Sequence, residues 1–188
     1  MHLYSKLKLV DPEIRFLVED DIPSVTSTVE LRNGVRILFY CLHSAPPSPT
    51  ENSHSTERDG ELLMLGKEAN RQDKAVIVTG DLDDVAWPDT TLLFRRISEL
   101  LDPRIGRGMF NSFHAKYWFI RWPLDHLFHS REFRICEIRR LGYFGSDHFP
   151  IYIKLAYAPD SSHAQQGEDS SSADHARANS KISEARDE

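Results

Sequence analysis

An α/β fold, with a mixed sheet and helices packed on it, is predicted by three features of this 188-residue chain. Two β-branched runs flank an Asn-Gly dipeptide in the first quarter, the pattern of a hairpin. A short, wholly apolar run, Ala75 to Val78, lies between two segments with helical spacing, as in a strand buried on both faces between crossover helices. Three further strand-like runs then follow one another without an intervening helix, so the later strands pair among themselves or with the earlier ones.

In chain order, Val25 to Leu31 and Val35 to Tyr40 are the hairpin strands, with Asn33-Gly34 as the turn, and the second continues to Leu42-His43. Pro46, Pro47 and Pro49 then impose a loop. Ser55 or Thr56 suits a helix N-cap, with Glu57, Asp59 and Glu61 complementing the dipole and Leu62, Leu63, Leu65 and Ala69 forming the apolar face. The buried strand from Ala75 breaks at Gly80-Asp81. Asp89 or Thr90 caps a second helix that buries Leu92, Leu93, Ile97 and Leu100 and stops near Asp102-Pro103. Strands are predicted at Leu124–Phe128, Phe133–Arg139 and Ile151–Tyr157.

Residues 1–158 thus form one domain. From residue 159 onward the composition turns to Ser, Asp, Ala, Gln and Glu, with Ile182 the one large aliphatic residue. Such a segment buries too little apolar surface to offset its ordering entropy, and 159–188 is predicted to be a disordered acidic tail.

The formal net charge is −6, but Asp160 to Glu188 holds seven acids and three bases, which leaves about −2 for the rest. A near-neutral folded part argues against tight, nonspecific duplex DNA binding. No run reaches the 18 or so apolar residues of a membrane span, and the first residues lack a signal-peptide core. As written, the chain reads as cytoplasmic. Cys41 and Cys136 sit in hydrophobic strands without metal-like spacing and are expected to be buried thiols.

Carboxylates and histidines recur where strands end: His43 in CLHSAPP, Asp81 to Asp84 in GDLDD, Asp125 in PLDH, and Asp147-His148 in GSDHFP. Strand ends are where α/β folds place functional groups. Singly each is weak, since Gly-Asp is common in turns and a lone strand-end His is usually structural. His126 follows Asp125 along a strand, points to the opposite face and is left out of the site. The run Glu19, Asp20 and Asp21 reads as a solvated loop. Arg104, Arg107 and Arg121 with Trp118 and Trp122 form either a substrate-facing loop or, more commonly, an ordinary mixture of loop and packing residues.

GDLDDVAW, PLDH and GSDHFP, in that order, resemble the motifs of the endonuclease/exonuclease/phosphatase superfamily, with CLHSAPP and YSKLKL as supporting matches between Tyr4 and Ala158. The resemblance implies a partial four-layer α/β sandwich and a hydrolase acting on phosphodiesters or phosphomonoesters with Mg2+ or Mn2+. It implies that Asp81 orients or deprotonates the attacking water. His148 would face the phosphate, Asp125 would hold that imidazole charged, Asp147 would add a metal-facing carboxylate, and His43 would protonate the leaving oxygen or hydrogen-bond a phosphate oxygen. The implied substrate is a nucleic acid, a phospholipid head group or an inositol phosphate.

Two departures accompany the resemblance. Asp83 stands where relatives carry Asn, so a group able to donate becomes one that only accepts. A carboxylate ~4 Å from a phosphate oxygen would cost about 4 kcal/mol at an effective dielectric near 20, or roughly three orders of magnitude in rate. Relatives also carry an Asn strand and a metal-binding Glu upstream of the region matching Tyr4, so an N-terminal segment or a protein partner is expected to be missing here. Some relatives bear membrane helices there, and such a segment would bring membrane association. The rival expectation is a non-catalytic remnant acting, if at all, through a partner.

Overall fold

A computed structural model describes residues 1–43, 53–82 and 89–187, without the side chains of residues 53–55 and 161. The Pro-rich loop and Asp83 lie outside the described residues. Strands β1 (Lys8–Arg15), β2 (Ser24–Glu30), β3 (Arg36–His43), β4 (Val76–Asp81) and β5 (Asp125–His129) form one sheet in sequential order. Strands β6 (Phe133–Arg140) and β7 (Ile151–Tyr157) form a separate antiparallel pair. The predicted hairpin is β2–β3, with Val25 opposite Cys41 and Glu30 opposite Arg36.

Helix α1 (Ser53–Asn70) carries the chain over the sheet so that β3 and β4 run parallel, while α2 (Asp89–Ser98) precedes the antiparallel return of β5. That single parallel pair follows from the crossover, since a tight turn can join only antiparallel strands. β1 is an edge strand, and its ladder slips between Val10 and Glu13, where Pro12 withholds an N–H and Asp11 takes a φ of 49°.

The main core lies between one face of the five-stranded sheet and the helices. Tyr40, Leu42, Val76, Val78 and Phe128 meet Leu62, Leu63 and Leu65 of α1 and Leu93, Phe94 and Ile97 of α2. The Phe94 and Phe128 rings meet edge-on at 4.9 Å, a contact worth ~1 kcal/mol beyond its area. A smaller cluster on the opposite face joins Ile37, Ala75 and Phe133 to Leu155 and Tyr157 of β7. Helices, large sheet and small sheet make three of the four expected layers. Among the described residues no helix is long and apolar enough to cross a membrane.

The structure corrects the expectation of a disordered tail. A 3-10 turn at Pro159–Ala164 leads to α3 (Ser172–Asp187), which packs on α1 with Ala178 and Ala185 buried. Composition misleads here because α3 approaches through small side chains. A Cβ on Gly60 of α1 would lie 2.3 Å from Ala185 Cβ, so only glycine permits this crossing. Charge pairing does the rest: Lys181 Nζ to Asp59 at 2.7 Å, Arg96 to Asp174 at 3.1 Å and Arg95 to Glu168 at 2.6 Å. One cysteine expectation is also corrected. Cys41 is buried, which pushes its thiol up to about 11, but Cys136 faces solvent on the small sheet.

Candidate active site

Register aligns three of the predicted groups across the main sheet. His43 ends β3 opposite Asp81, which ends β4, and Asp81 in turn pairs with Asp125, which opens β5. Residues in register share a sheet face, so strand pairing alone places the three in one row. Gly80 sets the row's closeness: a Cβ there would lie 2.1 Å from the Leu42 carbonyl oxygen. The glycine of Gly-Asp is therefore needed for β3 and β4 to approach where their functional ends meet.

His148 reaches this row from the loop before β7. The Ser146 hydroxyl accepts its backbone N–H at 3.2 Å, and Phe113 bridges to it from the long segment between α2 and β5. His148 Nδ1 lies 2.8 Å from Asp125 Oδ2, and its Nε2 lies 3.6 Å from Asp81 Oδ2. Burial alone would lower the imidazole pKa. The hydrogen bond that Nδ1–H donates to Asp125 and the charges of Asp125, Asp81 and Asp147 outweigh it and raise the value above the usual histidine range. The Phe113 ring, 5.0 Å away, closes one side.

Asp147 and His43 are not part of the trio that Asp81, Asp125 and His148 form. Asp147 does not join the cluster: its side chain is exposed, and its carboxylate accepts a hydrogen bond from Ser146 at 3.3 Å. It acts on His148 through charge alone. His43 is exposed beside Asp81.

Two supporting sets were given no site role by the sequence. Fully buried Ser112 accepts the Asp125 backbone N–H on its hydroxyl and the Phe149 N–H on its carbonyl, at 3.1 and 2.7 Å. One serine thereby ties the start of β5 to the histidine loop. Arg104, weighed above as a loop residue, is buried and grips Asp102 through Nε and Nη2, at 3.0 and 2.7 Å. Its Nη2 also donates to His126 Nδ1 at 2.8 Å, so His126 carries its proton on Nε2. A cavity of about 470 Å³ is lined by Asp81, Asp125 and His148 together with Arg104, His126 and apolar residues of both sheets.

The donor chemistry suits a cation. Asp81, Asp125 and His148 each offer a ligand atom, and these atoms lie within 4.8 Å of one another, the one such trio among the described residues. Two carboxylates are ligands for a hard divalent ion, and the imidazole widens the set toward manganese.

The model of the Endonuclease/Exonuclease/phosphatase family matches residues 1–148. No curated protein matches the chain. Among solved structures, the human Nocturnin catalytic domain with bound sulfate is similar at a TM-score of 0.63 and 15% identity, over 81% of this chain and 60% of that one. The Bacteroides thetaiotaomicron mannosyl-6-phosphatase is similar at 0.59 and 20% identity, over 81% and 68%. An endonuclease/exonuclease/phosphatase from Bacteroides vulgatus is similar at 0.66 and 14% identity, over 81% and 67%. The chain thus spans about two thirds or less of each of these structures.

Proposed function

Because the chain belongs to the endonuclease/exonuclease/phosphatase family, we propose that it is a divalent-metal-dependent phosphoester hydrolase with Asp81, Asp125 and His148 as its reacting groups. The observation that carries this reading is the convergence of those three side chains, distant in sequence, within 4.8 Å. Asp81 and Asp125 would hold a magnesium or manganese ion, with Asp125 using the carboxylate it also lends to His148. The structure favours this pair over Asp147, whose side chain is exposed and outside the trio. When bound, the cation polarises a phosphoryl oxygen.

The chain's own residues supply the remainder. His148, held charged by Asp125 and Asp81, donates a hydrogen bond to a phosphoryl oxygen as charge builds there. Asp125 fixes the ring so that Nε2 is the atom presented, the role of an orienting carboxylate. Asp81, 3.6 Å from Nε2, orients the attacking water and accepts its proton. His43, exposed in the neighbouring register position, serves the leaving oxygen. Asp83, where relatives carry Asn, favours a second reading in which the chain is a slow or silent member of the family.

The test is hydrolysis of a chromogenic phosphodiester and its monoester counterpart by the purified full chain. Turnover that needs magnesium or manganese and vanishes in Asp81→Ala supports the proposal. Turnover that survives chelation, or is unchanged in Asp81→Ala, overturns it. No turnover with any metal favours the silent reading.

A further inference from the structure

A groove of about 380 Å³ runs along the junction of α1 and α3, on the helical layer. Leu17 and Ile182, both packed on the main core, and Met64 give it an apolar footing. Its polar lining is mostly cationic, although the chain as a whole carries a net charge of −6.

Glu68 is the one acid that lines the groove, and its charge is already matched. Two Arg15 N–H groups donate to its carboxylate at 2.8 and 2.9 Å, and the Tyr40 hydroxyl adds a third hydrogen bond at 2.9 Å. Three cations remain. Lys67 donates to Asn179, an uncharged oxygen, and Arg71 and Arg186 meet no carboxylate among the described residues. Burial and the neighbouring charge of Arg71 lower the Lys67 pKa, as for a cation that lacks a nearby anion. The helix dipoles account for one cation at each C-terminal end, but not for Lys67 and Arg71 four residues apart, a repulsive pair.

The cations are also spread out. Gly60 of α1 faces Ala185, and Lys67 meets Asn179, so the two helices run antiparallel. Arg186 therefore lies toward the other end of the groove from Lys67 and Arg71. Asn179 and Arg186 are seven residues apart, ~10 Å along a helix. One phosphate or carboxylate cannot reach both ends.

We propose that the α1–α3 groove docks an acidic amphipathic segment of a partner protein. Carboxylates at the two ends of that segment would pair with Lys67 and Arg71 and with Arg186, and an apolar side chain between them would rest on Leu17, Met64 and Ile182. Charge complementarity selects the acidic partner, since a cationic groove on an acidic molecule attracts anions and repels further copies of the chain's acidic surface. The apolar footing selects a peptide over a nucleic acid: no aromatic side chain among the described residues lines the groove, so it offers bases no stacking platform. The inference is independent of the hydrolase reading, because none of these residues lines the candidate site.

The test uses the full chain and a fluorescein-labelled synthetic helical peptide with two glutamates seven positions apart and leucines between them. Fluorescence anisotropy reads affinity, and amide chemical shifts locate the contact. Binding is expected to shift Lys67, Arg71 and Arg186, to weaken with added salt, and to vanish when lysines replace the peptide's glutamates. Arg71→Glu and Arg186→Glu, at opposite ends of the groove and both exposed, should each weaken binding about five- to tenfold, as an exposed ion pair becomes an exposed repulsion. Arg139→Glu, an exposed change on the small sheet, should leave it unaltered. Unchanged thermal unfolding of the variants shows that the fold is intact.

No binding by the native chain, or binding that Arg71→Glu and Arg186→Glu both retain, overturns the proposal. Equal weakening in Arg139→Glu also overturns it and assigns the binding to overall charge. Displacement of the peptide by inorganic phosphate, or preference for a single-stranded oligonucleotide, would give the groove to another ligand. A dimer in sedimentation that Arg71→Glu dissolves would give it to a second copy of the chain, and either result sinks the proposal.

Discussion

His148 Nδ1 lies 2.8 Å from Asp125 Oδ2, joining a loop residue to a strand residue 23 positions earlier in the chain. The contact fixes the ring's direction and leaves Nε2 facing Asp81 at 3.6 Å. Both the chemistry and the pH behaviour proposed for the protein depend on that pair.

Asp125→Asn keeps the shape of the contact and removes its charge. The histidine then loses its largest source of proton affinity, and its titration midpoint, followed by NMR of the ring protons, falls toward or below the ordinary histidine value. Phosphoester hydrolysis is expected to drop by about two to four orders of magnitude, the range of a positioned acid–base partner.

The raised His148 pKa also makes stability pH-dependent. Its folded value lies above the unfolded value of about 6.5. The stabilisation from its ion pairs is therefore fully present below about pH 6.5 and is lost as pH rises through the folded value. Urea titrations across that window should show the native chain losing stability relative to His148→Gln, with the difference closing at alkaline pH. A difference that grows with pH would contradict the assignment.

Gly60→Ala tests the packing of the C-terminal helix. The new methyl would meet Ala185 Cβ at 2.3 Å, so α3 must move away from α1. A loss of about 1–3 kcal/mol is expected, as for overpacked cores, with faster proteolysis after residue 158. Gly66 of the same helix, where a Cβ would meet the Phe94 ring, provides a comparison in which α3 is untouched.

Asp83→Asn restores the donor that the family resemblance implies. The expected outcome is a gain of up to about a thousandfold in turnover, measured on the same chromogenic diester. An equal or lower rate would show that position 83 does not meet the phosphate.

Much of this architecture was legible in the sequence, for local reasons. Asn33-Gly34 and its flanking β-branched runs specify a hairpin whatever surrounds them, and the apolar run at Ala75 to Val78 has only a buried sheet to occupy. The row of His43, Asp81 and Asp125 follows from strand ends that happen to be in register. What stayed hidden depends on distant partners. A hydroxyl such as Ser112 gains its role only when two far-off backbone groups arrive beside it. Arg104 stays undecided between a substrate-facing loop and a packing role until Asp102 and His126 close around it. Alanines of the tail read as neutral filler because Gly60, more than a hundred residues earlier, is what makes them a packing surface.

The central claim is that Asp81 and Asp125 hold a divalent ion beside His148. Paramagnetic broadening by manganese tests it most directly. In the native chain, added Mn2+ should broaden the His148 ring resonances before those of exposed His2 and His163, magnesium should reverse the effect, and Asp81→Asn should abolish it. Broadening spread equally over the exposed histidines, or unchanged in Asp81→Asn, would contradict the claim.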